Sequence, residues 1–583
     1  MHSPAHFFGL SGKCRTLTIE LSNHIPQWGR KEGGKMKKLI ALLLSVAMVL
    51  SLAACSNQSQ SSEKAPDTTA QSEKESQSGK ESEPAPASKY GGVLHVAQPT
   101  MDYTVAMGCP FSITGTEQQT AMEALYDALW RRGADGNIEL VLADSYSVSD
   151  DGLEYTFKLK DGIKFHDGSD LNAEVVAWNY AKIVETGSIT GLESAEAVDA
   201  NTVKIRLSIN NPFFLMANSQ KQQWYICSKE NYDKNGEDYA MTHPVGTGAF
   251  KFVSMEVNKS IVLEKNENYW QKDSDGNALP YLDGVEITAI SDPTVASAAL
   301  SNGEIDVYAG TLADMKLNLE TYGLDNFIID KGSIPTKASG IRFMANNRNA
   351  KLFTDERLRK AVAYAIDGEA VAASFADGNM IATDQIAPAG SPDYVANPTT
   401  YGYDPEKAKE LLKEAGYPNG FEIEINIDQT ATSQRLAELY QYYLGEVGIT
   451  VKIMSYANAE RNEIQDRDDT WDQLLVSGTG INGDSANVWS NCSPTRKKWA
   501  NMQPFESEPE WVALWNKVSE CVKIDDAYKA LAEYWAYAYD HCCTYLFMHE
   551  YPDIKYYNKN IDPQLDKIGI RWLDPKFVYF NNK

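Results

Sequence analysis

The sequence predicts an α/β protein, and three observations point that way. Past Gly340, apolar residues recur at helical spacing in Leu358, Ala361, Val362, Ala365 and Ile366, and again in Leu436, Leu439, Tyr440 and Tyr443. Around the second stripe, Phe421, Ile423, Ile425 and Ile427 alternate at strand spacing, as do Ile449, Val451 and Ile453. A helix between two such strands is the pattern of a sheet largely sandwiched by helices. The chain has 583 residues, 43% of them hydrophobic, enough for about two to four domains' worth of core.

In chain order the first feature is a leader. Residues 36–55 read MKKLIALLLSVAMVLSLAAC: a Lys37-Lys38 pair, an apolar run over 39–54, and small residues before a cysteine. The run is shorter than the roughly 20 residues a membrane span needs, and the layout is that of a secretory signal. Leu52-Ala53-Ala54-Cys55 resembles the lipobox of bacterial lipoproteins, which implies cleavage before Cys55 and lipidation of that residue. An anchor helix or a core segment is the alternative. Residues 1–35 carry mixed charge without periodicity and are expected to be a non-native or mis-assigned extension, with Met36 as the true start and 36–54 as the signal. After Cys55, residues up to 89 hold Ser, Glu, Lys, Gln and Pro and almost nothing apolar. Such a stretch cannot offset its conformational entropy by burial and is expected to be a disordered tether.

Residues 91–97 read as a strand closed by Pro99. Met122, Leu125, Tyr126, Leu129 and Trp130 fall on one face of a helix. Tyr155, Phe157 and Leu159 alternate up to Asp161-Gly162, and Ile163 and Phe165 alternate beyond it. That predicts a hairpin, because Asp-Gly supplies the positive φ of a tight turn. Asn172 is placed to cap the next helix, whose buried stripe is Val176, Tyr180 and Ile183. Residues 203–207 return as a strand. Residues 243–252, HPVGTGAFKF, form a glycine-rich turn feeding a strand, and two glycines so close predict backbone that turns sharply or approaches another segment. The spacing is not that of a phosphate-binding loop. Asp273-Ser274-Asp275-Gly276 reads as a surface turn, since the glycine comes too early for a calcium loop and no glutamate closes it. Thr354 is expected to cap one helix. Asp404-Pro405 opens another, which Gly416 and Pro418 stop. Two aromatic-rich helices over 511–522 and 528–539 precede a last extended segment over 577–580.

A formal net charge of -26 repels phosphate backbones and anionic lipid, which argues against nucleic acid as a partner. Cys109, Cys227, Cys492, Cys521, Cys542 and Cys543 are scattered through a chain that does not lack a core, so mostly free, buried thiols are expected. Adjacent Cys542 and Cys543 lack zinc-site spacing, and neither a metal nor another cofactor is expected. No spacing among the 80 acidic residues singles out a glycosidase pair, and neither H-E-x-x-H nor G-x-S-x-G occurs. Catalysis is therefore not expected. A secreted, lipid-anchored hydrolase and a passive adhesion protein are the alternatives of other classes.

Five stretches stand together in one order: ALYDALWRRGADGNIELVLADSYSVSDDGLEYTFKLKDGIKFHDGSDLNAEVV from Ala124, HPVGTGAFKFVSMEVNKSIVLEKNENYW from His243, PYLDGVEITAISDPTVASAALSNGEIDVY from Pro280, DERLRKAVAYAID from Asp355, and YDPEKAKELLKEAGYPNGFEIEI from Tyr403. In that order they resemble family 5 of the extracellular solute-binding proteins, the receptors of peptide and nickel import by ABC transporters. The resemblance implies a two-lobed, periplasmic-binding-protein-like fold of the class II, cluster C type, with an extra small domain and a ligand cleft between the lobes. Residues 90–130, 241–337 and 549–583 then make a discontinuous lobe I, 131–240 the small domain packed on it, and 338–548 lobe II. The implied function is that of a lipid-anchored extracellular receptor on the bacterial cell membrane, which closes on a small solute by hinge motion and delivers it to a permease. A peptide is the first ligand implied, with an oligosaccharide or another non-peptide solute as the alternative. The implied partners are that ligand, the permease subunits, and the membrane through the lipid anchor alone, with the receptor a monomer.

Peptide-binding members of that family pair an aspartate with the ligand's terminal ammonium, in a loop of the D-Y-x-D-P type. The corresponding loop here is 477–489, SGTGINGDSANVW. Asp484 fits the first aspartate, Ser485 replaces the tyrosine, and Asn487 with Val488 replaces Asp-Pro. Asp484 is thus a ligand-binding candidate or a turn residue bonding its own backbone. Trp489 is a stacking surface or a core aromatic. Asn482 and Asn487 suit a polar ligand or a plain turn, and Tyr103 is a cleft residue by analogy with loops after the first strand.

Overall fold

Val93–Gln98 carries apolar or small residues on both faces, the composition of a strand flanked by parallel neighbours. In the computed structural model it pairs in parallel with Gly284–Ala289 on one side and Val307–Gly310 on the other, and Leu94, Val96 and Ala97 are fully buried. The model describes residues 89–581 except 100, 102–106, 114–118, 190, 311–320, 324–325, 332–336, 345–350, 376–379, 397, 467–471, 482, 495–507, 544, 552–553 and 569–572. The leader, Cys55 and the tether up to residue 88 lie outside the described residues.

Three sheets organise the described chain. The first has seven strands in the order Phe327–Asp330, Ile554–Asn558, Val307–Gly310, Val93–Gln98, Gly284–Ala289, Ser260–Lys265, Phe250–Glu256. The second has six, in the order Ile381–Ala382, Tyr545–Tyr551, Lys337–Met344, Gln473–Gly480, Glu422–Asp428, Thr450–Tyr456. Glu422–Asp428 and Thr450–Tyr456 run parallel, joined by the helix Ala431–Glu446, as the alternation of strand and helix spacing predicts. The third is an antiparallel sheet of four strands, Ala143–Val148, Glu154–Leu159, Thr202–Leu207 and Leu192–Ala197, covered by the helix Ala173–Thr186.

Local chemistry sets the helix starts. Asn172 accepts from the Val175 amide and Asp404 from the Lys407 amide, with Pro405 at the first turn. The cap of Glu356–Ala365 is Asp355, not Thr354: its carboxylate accepts from the Arg357 amide and also holds the Arg357 guanidinium, which a threonine hydroxyl cannot do.

Two further expectations need correction. Asp161-Gly162 turns the chain, with Gly162 at φ 78°, but no hairpin forms there. Glu154–Leu159 already has partners on both edges, Ala143–Val148 and Thr202–Leu207, so Ile163 and Phe165 are instead buried beside a short Lys164 to Asp170 bridge. The helix over Met122 ends at Leu125, and Trp130 belongs to a strand, Trp130–Arg132. The glycine-rich turn is what stops it. The Gly248 amide donates to the Leu125 carbonyl, and a Cβ on Gly246 or Gly248 would meet Leu125 backbone atoms at 2.1 and 2.4 Å. The two glycines therefore serve close approach of two backbone segments.

One apolar core spans the first and third sheets, and another joins Ala97, Tyr308 and Tyr556 of the first sheet to the second. A third is aromatic, built from the helices Pro509–Ser519 and Ile524–Asp540, where Trp511, Trp515, Leu531, Tyr534 and Trp535 pack with Trp489 and with Phe213 from the segment after the third sheet. Cys109, Cys227, Cys492, Cys542 and Cys543 are buried, Cys521 is half-buried, and no disulfide joins any of these six described cysteines. Among the described residues no helix is long and apolar enough to cross a membrane.

Candidate functional site

The site begins with a two-stranded ribbon. Trp130–Arg132 pairs antiparallel with Ile138–Leu140 across a turn in which Asp135 accepts from the Asn137 amide and Gly136 adopts φ 82°. Side chains alternate along a strand, so Trp130 and Arg132 share one face and Arg131 takes the other. Trp130 is locked inward, its Nε1 donating to the Leu215 carbonyl at 2.9 Å and its ring stacked on Phe157. Arg132 follows it into the interior. Arg131 turns the opposite way, to Glu139 and Asp574.

Arg132 meets the loop before the short helix Ala486–Asn491. Its Nε donates to the Gly136 carbonyl at 2.9 Å and its Nη2 to Asp484 Oδ2 at 3.0 Å. Asp484 is 3% exposed. Its Oδ2 also accepts from the Tyr528 hydroxyl at 3.2 Å and its Oδ1 from the Ala486 amide at 3.0 Å. Burial raises the Asp484 carboxyl above its ordinary range, Arg132 draws it back, and nearby Asp393 adds to the rise. Asp393 is fully buried and accepts from the Ser485 amide and hydroxyl, while Trp535 Nε1 donates to the same hydroxyl. Ser485 is therefore fixed from both sides.

Beside this cluster opens a cavity of about 1010 Å³. One wall comes from the ribbon turn, Tyr146 and Tyr155 of the third sheet, and the segment Asn210 to Met216; the other comes from residues 388–392, Gly483 and the start of Ile524–Asp540 with Asp525 and Tyr528. Its size matches that of ligand pockets.

The candidate residues divide. Asp484 pairs with the cavity-lining Arg132 but is not itself among the lining residues, and the carboxylate that the resemblance offers to an ammonium is engaged by a guanidinium, a phenol and an amide. Trp489 is 1% exposed and stacks on Trp515 at 4.9 Å within the aromatic core. Asn487 is half-buried, with Nδ2 directed to the Gly480 carbonyl at 3.4 Å. Tyr103 and Asn482 lie outside the described residues. Sequence reasoning missed Arg132 and Tyr528. A signal for the first was present in Trp130-Arg131-Arg132, where an arginine two residues from a large aromatic on a strand must share its face.

Glu356, Glu508 and His541 bring possible metal-ligand atoms within 4.8 Å of one another. Glu508 is paired with Arg359 and Glu356 with Lys360, so two cations already neutralise the carboxylates and the cluster does not suit a metal ion.

Comparison with known proteins accounts for this architecture. The glutathione-binding protein GsiB of Shigella flexneri serotype 5b (strain 8401) is 30% identical over 382 residues, 62% of this chain and 70% of that protein. GsiB of Pectobacterium atrosepticum is 31% identical over 362 residues, 60% of this chain and 67% of that protein. The periplasmic binding protein DppA of Helicobacter pylori, solved with the peptide STSA, superposes with a TM-score of 0.70 at 24% identity, covering 85% of this chain and 99% of that one. The oligopeptide-binding protein AppA of Bacillus subtilis, solved with a nonapeptide, gives 0.66 at 22% identity, covering 82% and 98%. Both share the mixed α/β, two-lobed architecture. The model of bacterial extracellular solute-binding proteins, family 5, matches residues 137–499, more than half of the sequence, and the chain belongs to that family, the solute-binding receptors of ABC import systems.

Proposed function

We propose that this receptor captures a short peptide in the cavity of about 1010 Å³ beside Arg132 and Asp484, without chemical change, and releases it to a membrane permease. The observation that carries the reading is the cavity's construction. Its walls come from the region of the third sheet and from residues 388–392, 483 and 522–528, so a ligand bound there touches segments far apart in sequence and stabilises their closed arrangement. Lobe I is assigned to residues 90–130, 241–337 and 549–583, the small domain to 131–240 and lobe II to 338–548, and the receptor acts as a monomer. The peptide class is supported by relatives named for glutathione binding and by fold neighbours solved with peptides. In the mature protein Cys55 carries lipid and the tether after it keeps the body beside the membrane, which raises its effective concentration at the permease.

The test is a thermal-shift screen with glutathione and a mixture of short peptides, followed by mass spectrometry of the recovered ligand. A peptide at 100 times its dissociation constant adds about 2.7 kcal/mol of stability and returns intact. Peptides that leave the midpoint unmoved overturn the ligand class, and cleaved peptides overturn the receptor reading. A Cys55→Ala protein that stays membrane-bound overturns the lipid anchor.

A further inference from the structure

We infer that the cavity recognises a carboxylate on its ligand through Arg132, with Asp484 as the positioning residue that holds the guanidinium and not the acceptor of a ligand ammonium. The inference rests on the cavity being the solute site proposed above.

Arg132 is the one cationic side chain among the described residues lining the cavity, in a chain of net charge -26. A carboxylate entering there meets a single complementary charge. The guanidinium also has capacity left. Its Nε serves the Gly136 carbonyl and its Nη2 serves Asp484, while Nη1 has no partner among the described residues. The two bonds already made fix the plane of the fork, so an incoming carboxylate finds its donor oriented, and little further rotamer freedom is lost on binding.

Asp484 is less available. Its Oδ2 already accepts two donors and its Oδ1 one, and the side chain is buried and is not among the residues lining the cavity. An ammonium that took the place of Arg132 on Oδ2 would leave the guanidinium in the interior without its counter-ion, the expensive way to break a buried pair. The other acids on the wall do not replace it. Asp135 is folded back on its own turn, accepting from the amide and Nδ2 of Asn137. Asp525 stands in the first turn of Ile524–Asp540, where the positive end of the helix dipole favours it. The shared chemistry is the carboxylate, whether it ends a peptide or belongs to a sugar acid.

Calorimetry on the full chain with two paired panels decides between readings. One panel holds tripeptides without acidic side chains, as free acids, as C-terminal amides and as N-acetyl derivatives. The other holds sugar acids beside their neutral parent sugars. Free acids and N-acetyl peptides are expected to bind, with amides weaker by about tenfold or more, the loss of a charge-assisted hydrogen bond. The double variant Arg132→Gln with Asp484→Asn exchanges the ion pair for a neutral one and is expected to keep its unfolding midpoint while losing the preference for acid over amide. Amides that bind as well as acids while N-acetylation abolishes binding overturn the inference, as does a folded double variant that keeps the acid preference. Peptides that fail while sugar acids bind and neutral sugars do not would remove the peptide reading and leave the carboxylate inference standing. Binding by neither panel overturns it. The panels need only the unaltered protein, so a double variant that fails to fold does not remove the test.

Discussion

Arg359 and Glu508 meet at 2.9 Å in the interior of the chain, with Arg359 fully buried. The same guanidinium donates to the carbonyls of Phe353, Thr354, His541 and Cys542, so one side chain of the helix Glu356–Ala365 ties down the end of Ile524–Asp540. Tyr537 donates to the other oxygen of Glu508.

Replacing Arg359 by Leu is therefore expected to destabilise the protein by about 3–5 kcal/mol, because it strands a buried carboxylate as well as four carbonyls. Arg359→Lys should recover only part of this, since an ammonium cannot serve groups spread around a planar fork. Urea unfolding of both variants measures the difference, and equal midpoints for wild type and Arg359→Leu would contradict the assignment.

Gly248→Ala is expected to cost about 1–3 kcal/mol or more, since the added carbon would lie 2.4 Å from Leu125 C and 2.5 Å from the Ala124 carbonyl oxygen, both backbone atoms. Gly402→Ala is the control, because nothing lies within 4 Å of its added carbon. Its midpoint should shift by no more than about 0.5 kcal/mol.

Acid should destabilise the native state through two imidazoles. Burial pushes His166 and His549 down to about 4 from an ordinary 6.5. As pH falls through 6.5 the unfolded chain takes up these protons while the native state does not, so their contribution is whole above pH 6.5 and is lost progressively toward pH 4. His166 also has a visible latch: its Nδ1 accepts from the Gly246 amide, which leaves the proton on Nε2 to donate to the Gly248 carbonyl. Urea midpoints at pH 7.5 and 5 should differ less in His166→Gln and in His549→Gln than in wild type, each by the uptake of about one proton.

Thiol chemistry separates one cysteine from five. Cys521 is half-buried, while the thiols of Cys109 and Cys542 are buried and pushed up to about 12 by that burial. Among the described cysteines iodoacetamide on the native protein should alkylate Cys521 first, as read by peptide mass mapping, with the other five reacting only on unfolding.

Much of the fold could be read from spacing, because the forces that set it are local. Ile423, Ile425 and Ile427 alternate because one face of their strand is buried, and Asp404-Pro405 starts a helix through atoms within four residues. The Asp161-Gly162 hairpin failed for a reason no window of sequence contains, since both edges of the preceding strand were already taken by chain from 143–148 and 202–207. The site shows the same limit more sharply. The loop around Asp484 could be found by its pattern, but its partner Arg132 stands 352 positions away, and nothing in either segment names the other.

The arrangement of the last strands bears on how the molecule comes into being. Tyr545–Tyr551 enters the six-stranded sheet between Ile381–Ala382 and Lys337–Met344, and Ile554–Asn558 enters the seven-stranded one between Phe327–Asp330 and Val307–Gly310. One short stretch thus supplies an interior strand to both. Neither strand order is complete until residues 545–558 have been made, whatever the chain has folded before then. A product that stops short of it lacks an inner strand twice over, and the four strand edges left bare are templates for pairing with another chain.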